Sequence, residues 1–265
     1  MRRSMTMNSS NPVLNQKMFQ GQAVVASQDG VMTLEGTINK SIISVLLVMA
    51  AAYWSYQSPA VSMPLLIPCV IVGLILAIII SVKQTLAPVL TPVYAIAEGL
   101  VLGALSLSYA SLTAGSASGS FDAPLGLNHE LVFQAIALTF GTLFSMLVIY
   151  RSGLIKVTDR LKMIIYTATG GIFLLYFITM IMGFFGGQMP LIHESGPLGI
   201  GISLVIVGLA AFNLLLDFDF IVKASSSGSL PKYMEWYGAF GLLVTLVWLY
   251  MEILRLLAKL ARNRD

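Results

Sequence analysis

Seven long runs of apolar residues, separated by short polar segments, dominate the pattern of this chain. They lie at 38–57, 63–82, 91–113, 131–150, 163–186, 198–221 and 236–258. An α-helix needs about 20 apolar residues to cross about 30 Å of hydrocarbon, so each run has roughly spanning length. Helices are the natural structure for such runs, because a helix satisfies its own backbone hydrogen bonds in lipid. The pattern therefore predicts an all-α membrane protein, a bundle of seven transmembrane helices.

The composition also indicates a membrane protein. Of the 265 residues, 57% are hydrophobic and 10% are charged, and the mean hydropathy is +0.86. Soluble domains carry about 25% charged residues, so this chain has too little polar surface to cover a soluble globule. The polar segment before the first run lacks the apolar core of a secretory signal. We predict a mostly disordered cytosolic tail at 1–37, a membrane domain at 38–258 and a short basic tail at 259–265.

Basic residues are distributed unevenly between the two sides of the predicted bundle. The N-terminal segment through Lys40 and the second, fourth and sixth connections hold eleven Lys and Arg residues, whereas the first, third and fifth connections hold none. The positive-inside rule then makes the N-terminus cytosolic. Seven spans place the C-terminus outside, where its basic residues contradict the rule: Arg255, Lys259, Arg262 and Arg264. Either the last run does not fully cross, or its basic end is held by protein partners.

Ionisable residues inside the apolar runs are few. They are Glu98 in the third run, Asp217 and Asp219 in the sixth, and Glu252 and Arg255 in the seventh. Each costs a few kcal/mol or more in hydrocarbon, so each is a candidate functional residue.

The two acids of the sixth run stand in the stretch "FNLLLDFDFIVK". Residues two apart on a helix point about 200° apart, so Asp217 and Asp219 cannot share a face. The face of Asp217 is small and polar, since it carries Asn213, Ala210, Ile206 and Ser203. Small and polar faces pack inward in membrane bundles. We therefore expect Asp217 in the interior and Asp219 hydrated at the cytosolic rim.

One stripe of the seventh run carries small, polar and charged residues: Gly238, Gly241, Thr245, Trp248, Glu252 and Arg255. It predicts a helix surrounded by other helices, with Glu252 and Arg255 close enough to pair. The simpler alternative is a packing face with an ion pair near the outer interface. From the helical rise of about 1.5 Å per residue, Thr245, Asp217 and Glu98 lie in the cytosolic half of the membrane, and Glu252 lies in the opposite half.

Signatures of catalysis and of metal binding are absent from the sequence. The two histidines, His129 and His193, fall in predicted external loops, and a zinc site needs three or four ligands. There is no P-loop, no GxSxG motif and no intramembrane histidine to act as a base. The single cysteine, Cys69, excludes an internal disulfide. We expect no enzyme activity, no catalytic residue, no metal centre, no cofactor and no nucleic-acid partner, and we attribute the net charge of +3 to topology.

Three segments carry a family resemblance: "SNPVLN", "YAIAEGLVLGALS" and the C-terminal third, "LLLDFDFIVK" followed by "LPKYMEWYGAFGLLVTLVWLYMEILRLL". In these segments the chain resembles the Bax inhibitor-1/YccA family, the group containing the transmembrane Bax-inhibitor-motif proteins, and looks like its bacterial branch. The resemblance implies a bundle whose last helix is central and wrapped by the other six, in the plasma (inner) membrane of a bacterium. It also implies a pH-sensitive calcium leak, in which an aspartate near the end of the sixth span shares a proton with one in the seventh.

The chain departs from that family pattern at two places. Asp217 occupies the first aspartate position, but Thr245 occupies the second. The second span also lacks the glutamate that would latch onto the arginine of the last helix, here Arg255. In place of the missing aspartate, we expect Glu98 to share the proton of Asp217. Thr245 and Asn213 would add a hydroxyl and an amide to this site, and oxygen ligands of this kind suit a transported or bound Ca²⁺.

The sequence therefore favours a pH-sensitive leak for calcium or another cation, gated by protonation of a buried carboxylate near the cytosolic side. The alternative is a regulator without transport activity. It would use the polar tail and loops to bind a membrane protease or another membrane protein in a stress or cell-death pathway. A transporter is a third hypothesis, but the sequence shows no pair of broken helices in matching halves.

Overall fold

Each predicted run forms one long helix in the computed structural model, which describes residues 30–117, 128–184 and 196–263. The helices are α1 (Leu34–Gln57), α2 (Pro59–Val82), α3 (Ala87–Ala117), α4 (His129–Ser152), α5 (Asp159–Phe184), α6 (Pro197–Ser226) and α7 (Met234–Arg262). All seven are long and apolar enough to cross a membrane. The predicted all-α bundle of seven membrane-spanning helices is confirmed.

Local sequence signals set where the helices begin and end. The hydroxyl of Thr33 caps α1 by accepting a hydrogen bond from the Gly36 backbone N–H at 3.0 Å. Helix α2 begins at Pro59 and α6 at Pro197, a position where the missing proline N–H costs nothing. Helix α4 ends at Ser152 and is followed by Gly153, whose φ of 68° is in the left-handed region that glycine adopts freely.

All seven helices begin before the apolar runs that predicted them, and the difference matters most at the two ends of the membrane domain. Helix α1 begins four residues before its run, and α7 ends four residues after its run. Residues 30–37, which were assigned to the tail, therefore belong to the folded bundle, and so do the first residues of the predicted basic tail. The rest of the predicted N-terminal tail, residues 1–29, lies outside the described residues.

Helix α7 is the central helix. It packs against α1, α3, α4 and α6, and α5 reaches it through the side chain of Tyr176. Fifteen of its 29 residues are buried, and they anchor the hydrophobic core around Leu249, Leu254 and Leu214 of α6. Helix α2 packs mainly on α3 at the periphery. The central position of α7 agrees with what the family resemblance implied, whereas α2 packs on α3 and does not take part in wrapping α7 to the same extent.

Two glycines of α3 allow α1 to approach unusually closely. A Cβ atom at Gly99 would lie 2.5 Å from the carbonyl oxygen of Val48, and one at Gly103 would lie 2.6 Å from the Cβ of Ser55. The hydroxyl of Ser55 donates across the same interface to the carbonyl oxygen of Leu100 at 2.7 Å. Small residues spaced four apart are a common basis of helix packing in membranes, where they permit close backbone contact. The α1–α3 pair is therefore a tightly packed unit.

We expect Gly103→Ala to destabilise the protein by about 1–3 kcal/mol, because the added methyl group would force α1 and α3 apart. The matched control is Gly141→Ala on α4, where an added Cβ meets no atom within 4 Å. There alanine should be neutral or stabilising by up to about 1 kcal/mol, through its higher helix propensity. Thermal unfolding of the purified protein in detergent measures both variants, and equal midpoints for the two would contradict the close α1–α3 contact.

Candidate functional site

Buried polar side chains gather at three levels along α6 and α7. We call the end of the bundle at which α1 and α7 begin its N-terminal end, and the end at which α7 stops its C-terminal end. Glu235 and Asp219 are buried near the N-terminal end, and Glu252 is buried towards the C-terminal end. The half-buried Asp217 lies two residues further than Asp219 from the N-terminal end, at what we call the middle level.

Asp217 of α6 lies against Thr245 of α7 at the middle level. The hydroxyl of Thr245 is the side-chain hydrogen-bonding neighbour of the Asp217 carboxyl, and it also contacts the carbonyl oxygen of Gly241 at 3.3 Å. Asp217 as a residue is half-buried. Its Oδ2 atom, however, is buried and has no hydrogen-bond partner among the described residues. Leaving a buried acceptor unsatisfied costs about 1–3 kcal/mol, and more when it is charged, so this oxygen of Asp217 lies in an unfavourable environment.

Asn213 lies one turn before Asp217 on α6 but bonds to a different helix. Its side-chain amide donates to the hydroxyl of Thr169 on α5 and to the carbonyl oxygen of Leu209, both at 2.9 Å. Asn213 therefore links α5 to α6, and its amide donates both of these hydrogen bonds to groups other than Asp217.

Glu98, the expected partner of Asp217, faces α2. Its carboxyl lies beside Tyr94, one turn earlier on α3. Its Oε1 atom lies against Gly73 of α2, 3.0 Å from where a Cβ would stand. Asp217 instead faces α7, so the structure brings Thr245 to Asp217 and does not bring Glu98 there. Similar depth in the membrane suggested the pair, but the rotation of α3 about its axis directs Glu98 towards α2.

Asp219 is buried rather than hydrated, and the expectation of a solvated rim acid is wrong. Its Oδ2 atom accepts from the ammonium groups of Lys162 on α5 and Lys223 on α6, both at 2.8 Å. The side chain is only 7% exposed. Helix geometry correctly separates Asp219 from Asp217, but α5 packs beside α6 and supplies Lys162. Two lysines thus take the place that water was expected to fill.

Sequence reasoning missed Glu235, in the first turn of α7. Glu235 is 1% exposed and forms an ion pair with Lys40 of α1. Its Oε1 atom also accepts from the backbone N–H of Thr33 at 2.9 Å and from the Thr33 hydroxyl at 2.8 Å. A carboxylate in the first turn of a helix is favoured further by the helix dipole. The signal available in the sequence was opposite charge at the predicted cytosolic starts of the first and seventh runs.

Backbone contacts strengthen this connection at the N-terminal end. The N–H of Met32 donates to the carbonyl oxygen of Leu230 at 2.9 Å, and Val31 forms an antiparallel bridge with Pro231. The side chain of Met32 is buried in a cluster with Ile221, Ala224 and Met234. We call the contacts of residues 31–40 with α6, α7 and their connection the N-terminal clamp. It ties the start of α1 to the end of α6 and the start of α7.

Glu252 and Arg255 form the predicted ion pair within a larger buried cluster. The Nη1 atom of Arg255 donates to the two carboxylate oxygens of Glu252 at 3.0 and 3.1 Å. The hydroxyl of Tyr176 on α5 donates to Glu252 and accepts from Arg255, both at 2.6 Å. Glu252 is 1% exposed, so its carboxylate is buried between α5 and α7.

The basic end of α7 is held by the protein itself. Lys259 is buried, and its ammonium group donates to the carbonyl oxygen of Gly199 at 3.0 Å and to the hydroxyl of Ser203 at 2.9 Å. Helix α7 is also long enough to span. Of the two explanations for the basic C-terminus, the structure therefore favours protein contacts over an incomplete crossing.

The described residues contain no group of three or more His, Cys, Asp or Glu side chains arranged to hold a metal ion. His129 starts α4, and its Nδ1 atom shares a hydrogen bond of 2.7 Å with the hydroxyl of Tyr56. His193 lies outside the described residues.

We expect Lys40→Gln to lower the stability of the protein by about 1–3 kcal/mol, because it leaves the buried carboxylate of Glu235 without its cation. The control is Lys232→Gln, an exposed lysine, which should change stability by less than about 0.5 kcal/mol. The double variant Lys40→Gln/Glu235→Gln should recover part of the loss, since neither charge is then left unpaired. A double variant that loses the full sum of the two single variants in thermal unfolding would show that the pair is not coupled.

Comparison with protein families matches residues 11–262 to the family described as Bax inhibitor 1 like. Comparisons with curated proteins and with solved structures give no match.

Proposed function

The chain belongs to the Bax inhibitor 1 like family. Within that family, we propose that it is a pH-sensitive leak channel for calcium or another cation, gated by protonation of Asp217. The observation that carries the proposal is the buried Oδ2 atom of Asp217, which has no hydrogen-bond partner among the described residues. The uneven distribution of basic residues supports a cytosolic N-terminus. We further propose, from the resemblance to the bacterial branch of the family, that the protein resides in the plasma membrane of a bacterium.

Gating follows from the cost of placing a charge between packed helices. When Asp217 is protonated, the neutral carboxyl is compatible with close contact between α6 and α7. When it ionises, the charge has Thr245 beside it, while Lys162 and Lys223 are engaged by Asp219. The charge is then stabilised best if the helices separate enough to admit water. The leak therefore increases as pH rises through the titration of Asp217.

The oxygens exposed by that separation suit a hard cation. The Asp217 carboxylate and the Thr245 hydroxyl are oxygen ligands of the kind that Ca²⁺ prefers, and water completes its coordination. A single carboxylate binds weakly enough to release the ion, which a conducting pathway requires.

The N-terminal clamp supplies a closure for this pathway. It ties α6 and α7 to α1 through Glu235, Lys40 and Thr33, on the side expected to be cytosolic. Movement of α6 against α7 at the level of Asp217 would be opposed by these contacts, so the clamp favours the closed state.

Asp217→Asn should abolish the pH dependence of Ca²⁺ flux, because the amide is neutral at every pH and resembles the protonated acid. In proteoliposomes between about pH 6 and 8, a range in which buried carboxyls can titrate, flux of the wild type should rise with pH and that of the variant should stay low. Glu35→Gln is the control, since Glu35 is an exposed acid at the start of α1.

Two outcomes would count against this proposal in different ways. If the flux depends on pH and Asp217→Asn leaves that dependence unchanged, the leak stands but Asp217 is not its gate. No flux from the wild type at any pH would remove the leak and favour the protein-binding regulator of a membrane protease or stress pathway.

Thr245→Asp should shift the midpoint of the flux–pH curve upward by about one pH unit or more, because two facing carboxyls retain a shared proton to higher pH. Thr245→Asn is the matched control, since it has the same size without the second carboxyl. The same flux assay in proteoliposomes measures both variants, and equal midpoints would show that position 245 does not communicate with Asp217.

A further inference from the structure

An apolar cavity opens on the side of the bundle between α1 and α4. It has a volume of about 290 Å³ and is lined by residues of α1, α3, α4 and α7. Its walls include Val48, Ala52, Leu102, Ile136 and Leu246. Because Asp217, Glu235 and Glu252 are absent from its lining, it is separate from the proposed gate.

The cavity exists because α1 and α4 pack on the same partners from different sides. Helix α1 is drawn onto α3 by Gly99 and Gly103, and both α1 and α4 contact α7. At the C-terminal end, α1 and α4 meet through Tyr56 and His129, which share a hydrogen bond of 2.7 Å and pack edge to face at 5.7 Å. This pair closes one end of the opening.

The mouth of the cavity faces outward between the two helices. Four of the lining residues are also exposed on the surface of the bundle: Met49, Tyr53, Ile136 and Phe140. In a membrane, this surface of a spanning helix is in contact with lipid. The cavity is therefore reached from within the bilayer.

The polar atoms at the base of the cavity already have partners. The hydroxyls of Ser106 and Tyr250 share a hydrogen bond of 2.7 Å, and Ser106 also bonds to the carbonyl oxygen of Leu102 at 2.6 Å. Water needs two to four polar partners to occupy a buried site stably, and these walls offer few. A polar ligand is disfavoured for the same reason, whereas a hydrocarbon chain gains dispersion contacts along every wall.

We propose that this cavity is a binding site for one acyl chain of a bilayer phospholipid. Its volume lies at the lower limit of ligand pockets, about 300–1,000 Å³, and suits a single chain rather than a whole lipid. The Tyr56–His129 pair lies where α1 ends and α4 begins, which is the level of the lipid headgroups and the usual location of amphipathic aromatic side chains. The headgroup lies outside the cavity beside this pair, and the chain enters between α1 and α4. The site is independent of the proposed leak.

Photocrosslinking tests the site directly. The full-length protein is reconstituted with phosphatidylcholine that carries a diazirine on one acyl chain, and adducts are mapped by peptide mass spectrometry. We expect an excess of adducts at Met49, Ile136 and Phe140 over Phe133 and Phe144. The last two are more exposed than these lining residues but do not line the cavity, so they report ordinary contact with lipid.

Ala52→Phe should remove this excess, because the aromatic ring fills the cavity from the wall of α1. Ala50→Phe is the matched control, since Ala50 is exposed on the same helix and does not line the cavity; this variant should keep the excess. Ile136→Phe fills the cavity from α4 and serves as a second test if Ala52→Phe does not fold.

Equal labelling of lining and outward residues in the wild type would overturn the proposal. An excess of adducts that persists in a folded cavity-filling variant would also overturn it. Ion flux enters neither measurement, so failure here is distinguishable from failure of the proposed leak.

Discussion

The absence of water inside the hydrocarbon layer is the constraint on which this structure depends. A charged or strongly polar side chain at that depth needs a protein partner. Helix α7 carries Glu235, Thr245, Glu252, Arg255 and Lys259, more such groups than a lipid-facing helix tolerates. The rest of the bundle supplies the partners: Lys40 of α1 and Thr33, which caps α1, Tyr176 from α5, and Ser203 and the Gly199 carbonyl from α6. The central position of α7 is a consequence of these pairings.

Against this background Asp217 differs from the other acids of α6 and α7. Asp219, Glu235 and Glu252 each have a basic partner. Asp217 has the hydroxyl of Thr245 beside it and one oxygen without a hydrogen-bond partner among the described residues. A paired acid stabilises one arrangement of helices, whereas an unpaired acid makes helix packing depend on its proton. This contrast between neighbouring carboxyls in one bundle supports Asp217 as the sensor in the proposed leak.

Helix α1 packs closely against some of its neighbours but leaves a space beside α4, and both features enter the two proposals. Gly99 and Gly103 bring α1 tightly onto α3, and the N-terminal clamp ties α1 to α6 and α7. The same tight placement leaves an apolar space between α1 and α4, closed at one end by Tyr56 and His129. Helix α1 thus takes part in both the closure at the N-terminal end and the wall of the lateral cavity.

Four features could be predicted from the sequence: the number of helices, their approximate bounds, the family and the separation of Asp217 from Asp219. They follow from hydrophobic length, motifs and helical period within single segments. The sequence also predicted the Glu252–Arg255 pair, whose members are three residues apart. It missed Glu235 with Lys40, placed Glu98 beside Asp217, and left Asp219 in water. Each of these depends on how one helix is rotated and placed against another that is distant in the chain. Only the tertiary structure decides that, since the period of a single helix shows which residues share a face but not which neighbour the face meets.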